Sequence, residues 1–256
     1  MPDRPRRAAL WIAAGLVAAA AVAAAVWLAR SLDARVERAL ERIGRELLGT
    51  DVAIARVDVD LRGGRATLYG LEVANPRGER LAFSGEPALR SDRIDVTFDA
   101  RSLLGDGPIV LTDVRVRAPR LSAEATPSGV NLVELQRRVA QASPAEVEAR
   151  AGAEAEARYA IERFVMEGAS VRADSRALGG DLRELALADV ELRGIGGARG
   201  ASAAEAGKRV LEALLARTLA QLAREQIGAY LDQRLQDLKD RASEALRDLL
   251  GPRRRE

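Results

Sequence analysis

The sequence predicts an α+β protein with an N-terminal transmembrane helix, an antiparallel β-sheet interrupted by a helical insert, and a long C-terminal amphipathic helix. The first observation is an uncharged segment, residues 8–29. The second is the alternation of apolar and polar residues through much of 50–130 and 159–200, and the third is a helical spacing of leucines after residue 200. Alternation with a period of two is typical of an antiparallel sheet that has one covered face and one wet face.

The composition excludes most catalytic chemistries. The 256 residues include neither cysteine nor histidine, which removes thiol nucleophiles, imidazole bases and the usual zinc ligands. No spacing typical of a carboxylate metal site or a serine–lysine dyad is present. The 40 basic and 38 acidic residues nearly cancel, and no basic strip is interleaved with aromatic residues. We therefore expect no enzyme, no catalytic residues, no cofactor, no metal and no nucleic-acid partner.

Residues 1–29 are interpreted as a cytoplasmic basic stub followed by a membrane anchor. At ~1.5 Å per residue, the uncharged stretch from Ala8 to Ala29 spans a hydrocarbon core of ~30 Å. Three arginines precede it and a tryptophan lies near each end: Arg4, Arg6, Arg7, Trp11 and Trp27. Basic residues on the short side place the bulk of the chain outside the cytoplasm. The alternative is a signal peptide cleaved near Ala23–Ala25, which also predicts export.

Residues 30–49 are predicted to form a membrane-proximal helix that continues the anchor outward. Apolar residues recur in it at intervals of three and four, namely Leu32, Val36, Leu40, Ile43 and Leu47. Gly49 follows in the position of a helix C-cap.

Residues 50–130 are predicted to form the first segment of the sheet. Gly63 and Gly64 separate two alternating runs, as in a β-hairpin, and the return strand is expected to place Thr67, Tyr69 and Leu71 on one face. The apolar positions of the alternating runs include Val57, Val59, Ile94, Val96, Phe98, Val114 and Val116.

Residues 131–158 are predicted to form a helical insert, and residues 159–200 return to strands. A first helix follows Asn131. The second begins at Ser143, which is followed by proline at the first helical position and by Glu146 as a capping-box partner. The strands that follow show the same alternation, as in Val190 and Leu192.

Residues 201–256 are predicted to be helical because leucines recur at a period near 3.6, and Gly228 divides them into two helices. Two interpretations remain open for this segment. An amphipathic helix of this kind packs on the sheet or pairs in a coiled coil, or it lies on a lipid surface.

The order of these features resembles the N-terminal region of the AsmA-like family of bacterial envelope proteins. An anchor is followed by "VDVDLRGGRATLYGLEVANPRGE", "ALRSDRIDVTFDARSLL" and "PIVLTDVRVRAPRLSAEATPSGVNLVEL". Residues 8–136 match the family pattern closely and 159–196 loosely. The motif positions are Gly63, Gly64, Asn75, Pro76, Gly78, Ser102–Leu104, Ile109–Val116, Gly129, Asn131 and Leu132.

The Asn75–Pro76 step of this pattern is interpreted as a strand terminator. Pro76 has no backbone N–H and restrains Asn75 to extended geometry, so strand pairing ends there, while Gly78 lets the chain turn. The motif is thus predicted to be structural and not catalytic.

The resemblance implies a curved, one-sided sheet whose apolar concave face shelters acyl chains. It implies a single-pass protein of the bacterial inner membrane, with its bulk in the periplasm, that binds membrane lipids or assists their transfer during envelope and outer-membrane biogenesis. The lipid-binding residues would be Val57, Val59, Ile94, Val96, Phe98, Val114 and Val116. The chain is short for a lipid bridge, because fewer than about ten strands at ~4.8 Å reach less than ~50 Å.

The alternative is a structural or assembly factor that docks an envelope protein partner through its helices. The two functions differ in whether Ile94, Val96 and Val114 face an open groove or a packed helix. Bound phospholipid favours the first function, and a stoichiometric protein partner favours the second.

Overall fold

The strands form one mixed, unclosed sheet, and four helices pack around it in an α+β arrangement. The computed structural model describes residues 33–151 and 157–225. The strands are β1 (Val52–Asp60), β2 (Arg65–Val73), β3 (Leu89–Phe98), β4 (Ile109–Arg117), β5 (Arg120–Thr126), β6 (Gly129–Val130), β7 (Tyr159–Glu167), β8 (Ser170–Asp174), β9 (Leu182–Ala186) and β10 (Val190–Ile195). The helices are α1 (33–48), α2 (Asn131–Gln141), α3 (Pro144–Ala151) and α4 (203–225).

Several predicted boundaries are confirmed. The hairpin turn falls between β1 and β2 at Gly63 and Gly64, α1 ends at Gly49 with a left-handed φ of 62°, and α3 begins at Pro144. The predicted anchor at 8–29 and the C-terminal part of the predicted helix beyond residue 225 lie outside the described residues. Within residues 33–151 and 157–225, no helix combines the length and apolarity that crossing a bilayer requires.

The prediction of a purely antiparallel sheet is wrong, because two strand pairs are parallel. β4 pairs with β7 and β5 pairs with β8 in parallel, while all the other recorded pairs are antiparallel. Helices α2 and α3 lie between these strands in the sequence and carry the chain back across the sheet. Such a crossover connection is what parallel pairing requires, whereas a hairpin gives antiparallel pairing.

Three strand pairs behave as longer, interrupted strands. β4 continues into β5 across Ala118, which has a φ of 46°, and β7 continues into β8 across Gly168, with a φ of 63°. The hydrogen-bond ladder between these two rows continues through both junctions, because the amide of Ala118 donates to the carbonyl of Glu167. β9 and β10 are joined in the same way, since the Leu187 amide donates to Ala169. The sheet is therefore six strand rows wide, a span of about 24 Å at ~4.8 Å between rows.

The alternation of the β1–β2 hairpin is interrupted at Gly70, which corrects the predicted faces of the return strand. Gly70 has a φ of 63°, and a Cβ there would lie 2.8 Å from the Cβ of Ala55. On the N-terminal side of this point Leu68 takes the apolar side, while Tyr69 contacts the guanidinium of Arg56 at 4.3 Å on the polar side. Tyr69 and Leu71 thus do not share a face, as uninterrupted alternation predicts.

Helix α1 covers the outer edge of β1. The backbone amides of Ile54 and Val59 point away from β2 and donate to Glu41 Oε1 at 2.8 Å and Asp33 Oδ1 at 3.0 Å. An exposed strand edge is a template for unwanted pairing. Two carboxylates of α1 therefore satisfy donors that would otherwise recruit another strand.

The hydrophobic core lies between one side of the sheet and helices α2 and α4. Buried residues of α2 are Leu132, Leu135 and Val139, and the main cluster also includes Leu215 and Leu222 of α4. A smaller cluster of Leu47, Val147 and Ala204 joins α1, α3 and α4.

Helix α4 begins with a capping box that the sequence analysis missed. Ser202 Oγ accepts from the Glu205 amide at 3.1 Å, and the Ser202 amide donates back to Glu205 at 2.9 Å. This reciprocal pair satisfies two amides at the start of the helix. The helix predicted over 201–256 is confirmed for residues 203–225, and the leucines of α4 pack on the sheet.

Candidate functional site

The candidate site is an apolar face formed by three rows of side chains that cross the sheet. Strand register places each row, because side chains of paired residues point to the same side. Row one is Val57, Leu68, Ile94, Val116, Met166 and Val190. Row two is Val59, Ala66, Val96, Val114, Phe164 and Leu192. Row three is Phe98, Leu111, Ile161 and Ile195.

All seven residues predicted to bind lipid fall within these rows. Three of them are buried, with exposed fractions of 1% for Val57, 8% for Phe98 and 9% for Val116. The other four are half-buried, namely Val59, Ile94, Val96 and Val114. The sequence pattern therefore identified one contiguous face, although its members differ in how far other parts of the chain cover them.

Helix α4 covers part of the apolar face. Ile94, Val114 and Leu192 pack against the same cluster that contains the α4 residues Leu215 and Leu222. Phe164, in the middle of row two, is only 5% exposed. Toward β1, row two is half-buried at every position, so coverage of row two decreases from β7 to β1, whereas Val57 of row one is buried on β1.

The opposite face of the sheet carries ion pairs in place of apolar side chains. Asp113 binds both Arg115 and Arg163, and Glu191 binds both Arg163 and Arg193. The pKa of Glu191 is lowered by its hydrogen bond from Arg163. Exposed pairs of this kind contribute little stability individually, but they keep this face wet. The sheet is therefore one-sided.

Two cavities in the described residues lie away from the apolar face. One, of about 220 Å³, is formed by the loop after β2 and is lined by Asn75, Pro76, Gly78 and Phe83 among others. The other, of about 400 Å³, has the charged residues Glu124, Arg172 and Asp174 in its wall. An acyl chain on the apolar face would thus lie on a partly covered surface and not in either of these cavities.

Two motif residues that are distant in sequence meet in a buried polar cluster. Asn131 is 0% exposed, and its Nδ2 donates to Asn75 Oδ1 at 2.7 Å and to the Ser122 carbonyl at 2.7 Å. Its Oδ1 accepts from the backbone amides of Glu124 and Leu132, both at 2.8 Å. The side chain of Asn131 therefore joins β5, the start of α2 and the loop after β2.

Asn75 extends this cluster to the loop that follows it. Its Nδ2 donates to the Ser84 carbonyl at 3.1 Å and to Glu124 at 3.3 Å, and its carbonyl accepts from Thr50 at 2.9 Å. Glu124 also accepts from the Ser84 amide at 2.9 Å. The sequence predicts only a strand terminator at Asn75. In the structure Asn75 also anchors the loop after β2 to the sheet.

The motif positions Gly63, Gly64, Pro76 and Gly78 act through the backbone. β2 ends at Val73, before Pro76, and the carbonyl of Gly78 accepts from the Leu81 amide at 3.0 Å in the following turn. The Gly63 amide donates to Asp60 Oδ1, and Gly64 has a φ of 62°. A Cβ on Gly64 would lie 2.5 Å from the Phe98 carbonyl, so the hairpin needs glycine there.

Arg138 links α2 to the end of α1. Its guanidinium donates to the carbonyls of Gly49 and, at 2.8 Å, Arg77. Glu134, one turn earlier, holds this guanidinium at 2.8 Å and accepts two hydrogen bonds from Arg137. The pKa of Glu134 falls from 4.5 to about 2, chiefly through the hydrogen bonds from Arg137, which with those from Arg138 outweigh the cost of burial.

Replacing Glu134 with glutamine is expected to remove a stability contribution that acid also removes. Because the pKa of Glu134 is lower in the folded state, this contribution is complete above about pH 5 and disappears as the pH falls from about 4.5 toward 2. The Glu134 side chain is 17% exposed, and we expect a loss of about 1–3 kcal/mol at pH 7. Urea unfolding of both proteins at pH 7, 4 and 3 tests this. A difference in unfolding free energy that stays constant from pH 7 to 3 would contradict it.

Acidic side chains of the described residues form ion pairs and not metal sites. No group of three or more histidine, cysteine, aspartate or glutamate side chains there has the geometry to hold a metal ion. The perturbed carboxylates Glu134, Asp174 and Glu191 are each held by neighbouring arginines in ion pairs. What the site offers chemically is apolar contact.

Comparison with known proteins assigns no family. No protein-family model matches the chain, and no curated protein matches it significantly. The resemblance to the AsmA-like family accordingly rests on the motifs and their order.

Proposed function

We propose that the chain is a membrane-anchored, periplasmic AsmA-like protein that binds lipid acyl chains on its apolar face and assists lipid transfer during envelope biogenesis. The mechanism is binding and not catalysis. The uncharged segment at 8–29 would hold the chain in the inner membrane, and the sheet would present its apolar side to acyl chains.

One observation carries this proposal, the half-buried part of the apolar face between β1 and β4. Val59, Ala66, Val96 and Val114 pair in sequence across four neighbouring strands and are each only half-buried. Burial of apolar surface stabilises a contact by about 25 cal/mol per Å², so such a strip favours an apolar ligand. The ion pairs on the other face exclude that ligand from the opposite side.

Curvature of the sheet belongs to the proposal and is supported by its irregular positions. Gly70, Ala118 and Gly168 interrupt three of the six strand rows, those of β2, β4–β5 and β7–β8, with left-handed backbone angles. Local irregularities of this kind bend strands and increase their twist. A sheet bent at one line would form a shallow trough along its apolar side.

The width of the sheet limits the mechanism. A span of about 24 Å is shorter than the thickness of a single bilayer with its headgroups, ~40–45 Å. The chain therefore assists transfer by holding a lipid or by working beside a larger carrier, and it does not bridge two membranes alone.

The alternative function is an assembly factor that docks a protein partner. Two observations favour it: α4 already packs on part of the apolar face, and β9 is an exposed edge strand with Leu182 43% exposed. Exposed strand edges are common sites for adding a strand from a partner.

Native mass spectrometry of the full chain, extracted from membranes in mild detergent, tests the two functions. We expect reproducible adducts with the mass of a phospholipid, at about one per chain, that survive exchange into a second detergent. A chain without lipid that carries a stoichiometric protein partner would contradict the lipid-binding proposal and support the alternative.

A further inference from the structure

The arginine side chains of helix α1 all lie on one side of the helix. Its exposed residues are all arginines, and they lie at spacings of three and four. We call them the arginine stripe: Arg35, Arg38, Arg42 and Arg45. At 100° and ~1.5 Å per residue, the four side chains occupy an arc of about 80° over a length of ~15 Å.

Three of the four acidic residues of α1 are engaged by other parts of the protein, and the fourth, Glu37, lies about 120° around the helix from the middle of the stripe. Asp33 and Glu41 are half-buried and accept from the amides of β1, and Glu46 pairs with Arg150 of α3. These three carboxylates are thus engaged by β1 and α3, although the sequence of α1 carries four arginines and four acidic residues. The outward face of the helix is consequently cationic.

The stripe has no anionic partner within the residues the structure describes. Arg38 and Arg42 use only Nε, which donates to a backbone carbonyl one turn earlier, at 2.8 Å and 3.4 Å. No carboxylate forms an ion pair with any of the four guanidinium groups in that part of the chain. Guanidinium groups bind phosphate oxygens with two parallel hydrogen bonds, so this surface is complementary to phosphate.

We propose that the arginine stripe binds the headgroups of anionic phospholipids and holds α1 against the membrane surface. The inference rests on the membrane anchoring proposed above. The uncharged segment ends at Ala29, only a few residues before α1 begins, so an anchored chain would emerge next to the stripe. Basic residues near a membrane surface are attracted to anionic lipids, and the attraction weakens within about 8–10 Å in physiological salt.

This contact would orient the whole sheet. α1 is fixed to the edge of β1 through Glu41 and Asp33, so a helix lying on the headgroups brings the half-buried end of the apolar face close to the bilayer. A lipid leaving the membrane would meet that end first. The stripe therefore supplies a position and orientation for the lipid-binding face and does not itself need to contact acyl chains.

The test compares two variants of the full chain that lose the same charge. The stripe variant is R35Q/R38Q/R42Q/R45Q. The matched control is R62Q/R65Q/R80Q/R101Q, which removes four exposed arginines that lie outside α1. Each protein is reconstituted into vesicles with equal phosphatidylglycerol and phosphatidylcholine, excised with a styrene–maleic acid copolymer, and analysed for the lipids retained.

We expect wild type and the control variant to retain phosphatidylglycerol over phosphatidylcholine at a ratio of about two to one, against one to one in the vesicles, with the enrichment reduced in high salt. The stripe variant should lose most of it and keep only what Arg4, Arg6 and Arg7 recruit. Equal melting temperatures in detergent for all three proteins would show that the variants fold. A stripe variant with unchanged enrichment overturns the inference.

Two further outcomes separate this inference from the proposed function. A chain that alkaline carbonate strips from vesicles overturns the anchor, and the stripe inference with it. An embedded chain that shows no enrichment overturns the stripe alone. If wild type instead binds a short single-stranded RNA through the stripe, without enriching phosphatidylglycerol, the surface is a nucleic-acid interface and the inference is wrong.

Discussion

Replacing Asn131 with alanine is expected to lower the free energy of unfolding by about 3 kcal/mol or more, because the substitution breaks two buried and two partly buried hydrogen bonds. Asn131 is 0% exposed, so water cannot replace its contacts with Asn75, Ser122, Glu124 and Leu132. Two backbone amides and one carbonyl would lose their partner inside the protein. Equilibrium denaturation in urea, followed by circular dichroism, measures the loss.

Gln136→Ala on the same helix is the matched control for this substitution. It also removes a side-chain amide from α2 but at a half-buried position, and we expect a change below about 1 kcal/mol. Asn131→Asp keeps the acceptor oxygens and loses the donors to Asn75 and Ser122, so its effect should also be large. If Asn131→Ala destabilised the protein no more than the control, the cluster would not hold the fold together.

A double-mutant cycle separates the Asn75–Asn131 contact from the rest of the cluster. Because the two side chains share a hydrogen bond of 2.7 Å, the effects of Asn75→Ala and Asn131→Ala should not add. We expect the double variant to be more stable than the sum of the single losses predicts by about 1 kcal/mol.

This cluster shows what the sequence could and could not predict. That α2 starts at Asn131 and that β2 ends before Pro76 follow from local rules of backbone geometry, and both are confirmed. The contact between Asn75 and Asn131 joins residues 56 positions apart, and no local pattern encodes such a pairing. The signal available was indirect: both are polar residues next to apolar runs, where a buried amide requires a partner.

The sequence likewise predicted part of the strand faces but not the strand order. Alternation identified Val57, Ile94 and Val116 as members of one face, because a period of two is a local property. It failed at Gly70, where a left-handed backbone angle shifts the pattern, and periodicity alone does not reveal that a glycine has positive φ. It also gave no information on strand direction, so the parallel pairing of β4 with β7 was missed.

The sequence also did not reveal which side of α1 each charged side chain occupies. Acidic and basic residues alternate there, and the sequence alone treats them as a mixed, solvated surface. The edge of β1 decides the outcome, because its unpaired amides draw Asp33 and Glu41 inward and leave the arginines outside. Because the amides of β1 need acceptors, α1 turns these two carboxylates toward them, and its outward surface is cationic as a result.

Val96→Asp is expected to abolish most lipid binding while leaving the fold largely intact. Val96 lies in row two between Ala66 and Val114 and is half-buried, at the less covered end of the apolar face. A carboxylate there would have to lose water to admit an acyl chain, at a cost of at least about 1–3 kcal/mol, which lowers occupancy about tenfold or more. In the lipid-free protein the same carboxylate can stay hydrated. Native mass spectrometry gives the lipid occupancy, and thermal unfolding gives the melting temperature.

Thr97→Asp is the matched control, because it adds the same charge on the next residue of β3, exposed on the opposite, polar side, where Arg65 on one neighbouring strand offsets the repulsion from Asp113 on the other. It should leave both lipid occupancy and melting temperature near wild-type values. If Val96→Asp lowered the melting temperature by ten degrees or more, Val96 would be packed under another part of the chain, since a buried unpaired charge costs several kcal/mol. That result would favour the assembly-factor alternative. If neither lipid occupancy nor melting temperature changed, the half-buried strip would not be the binding surface, and the proposed role of row two would be wrong.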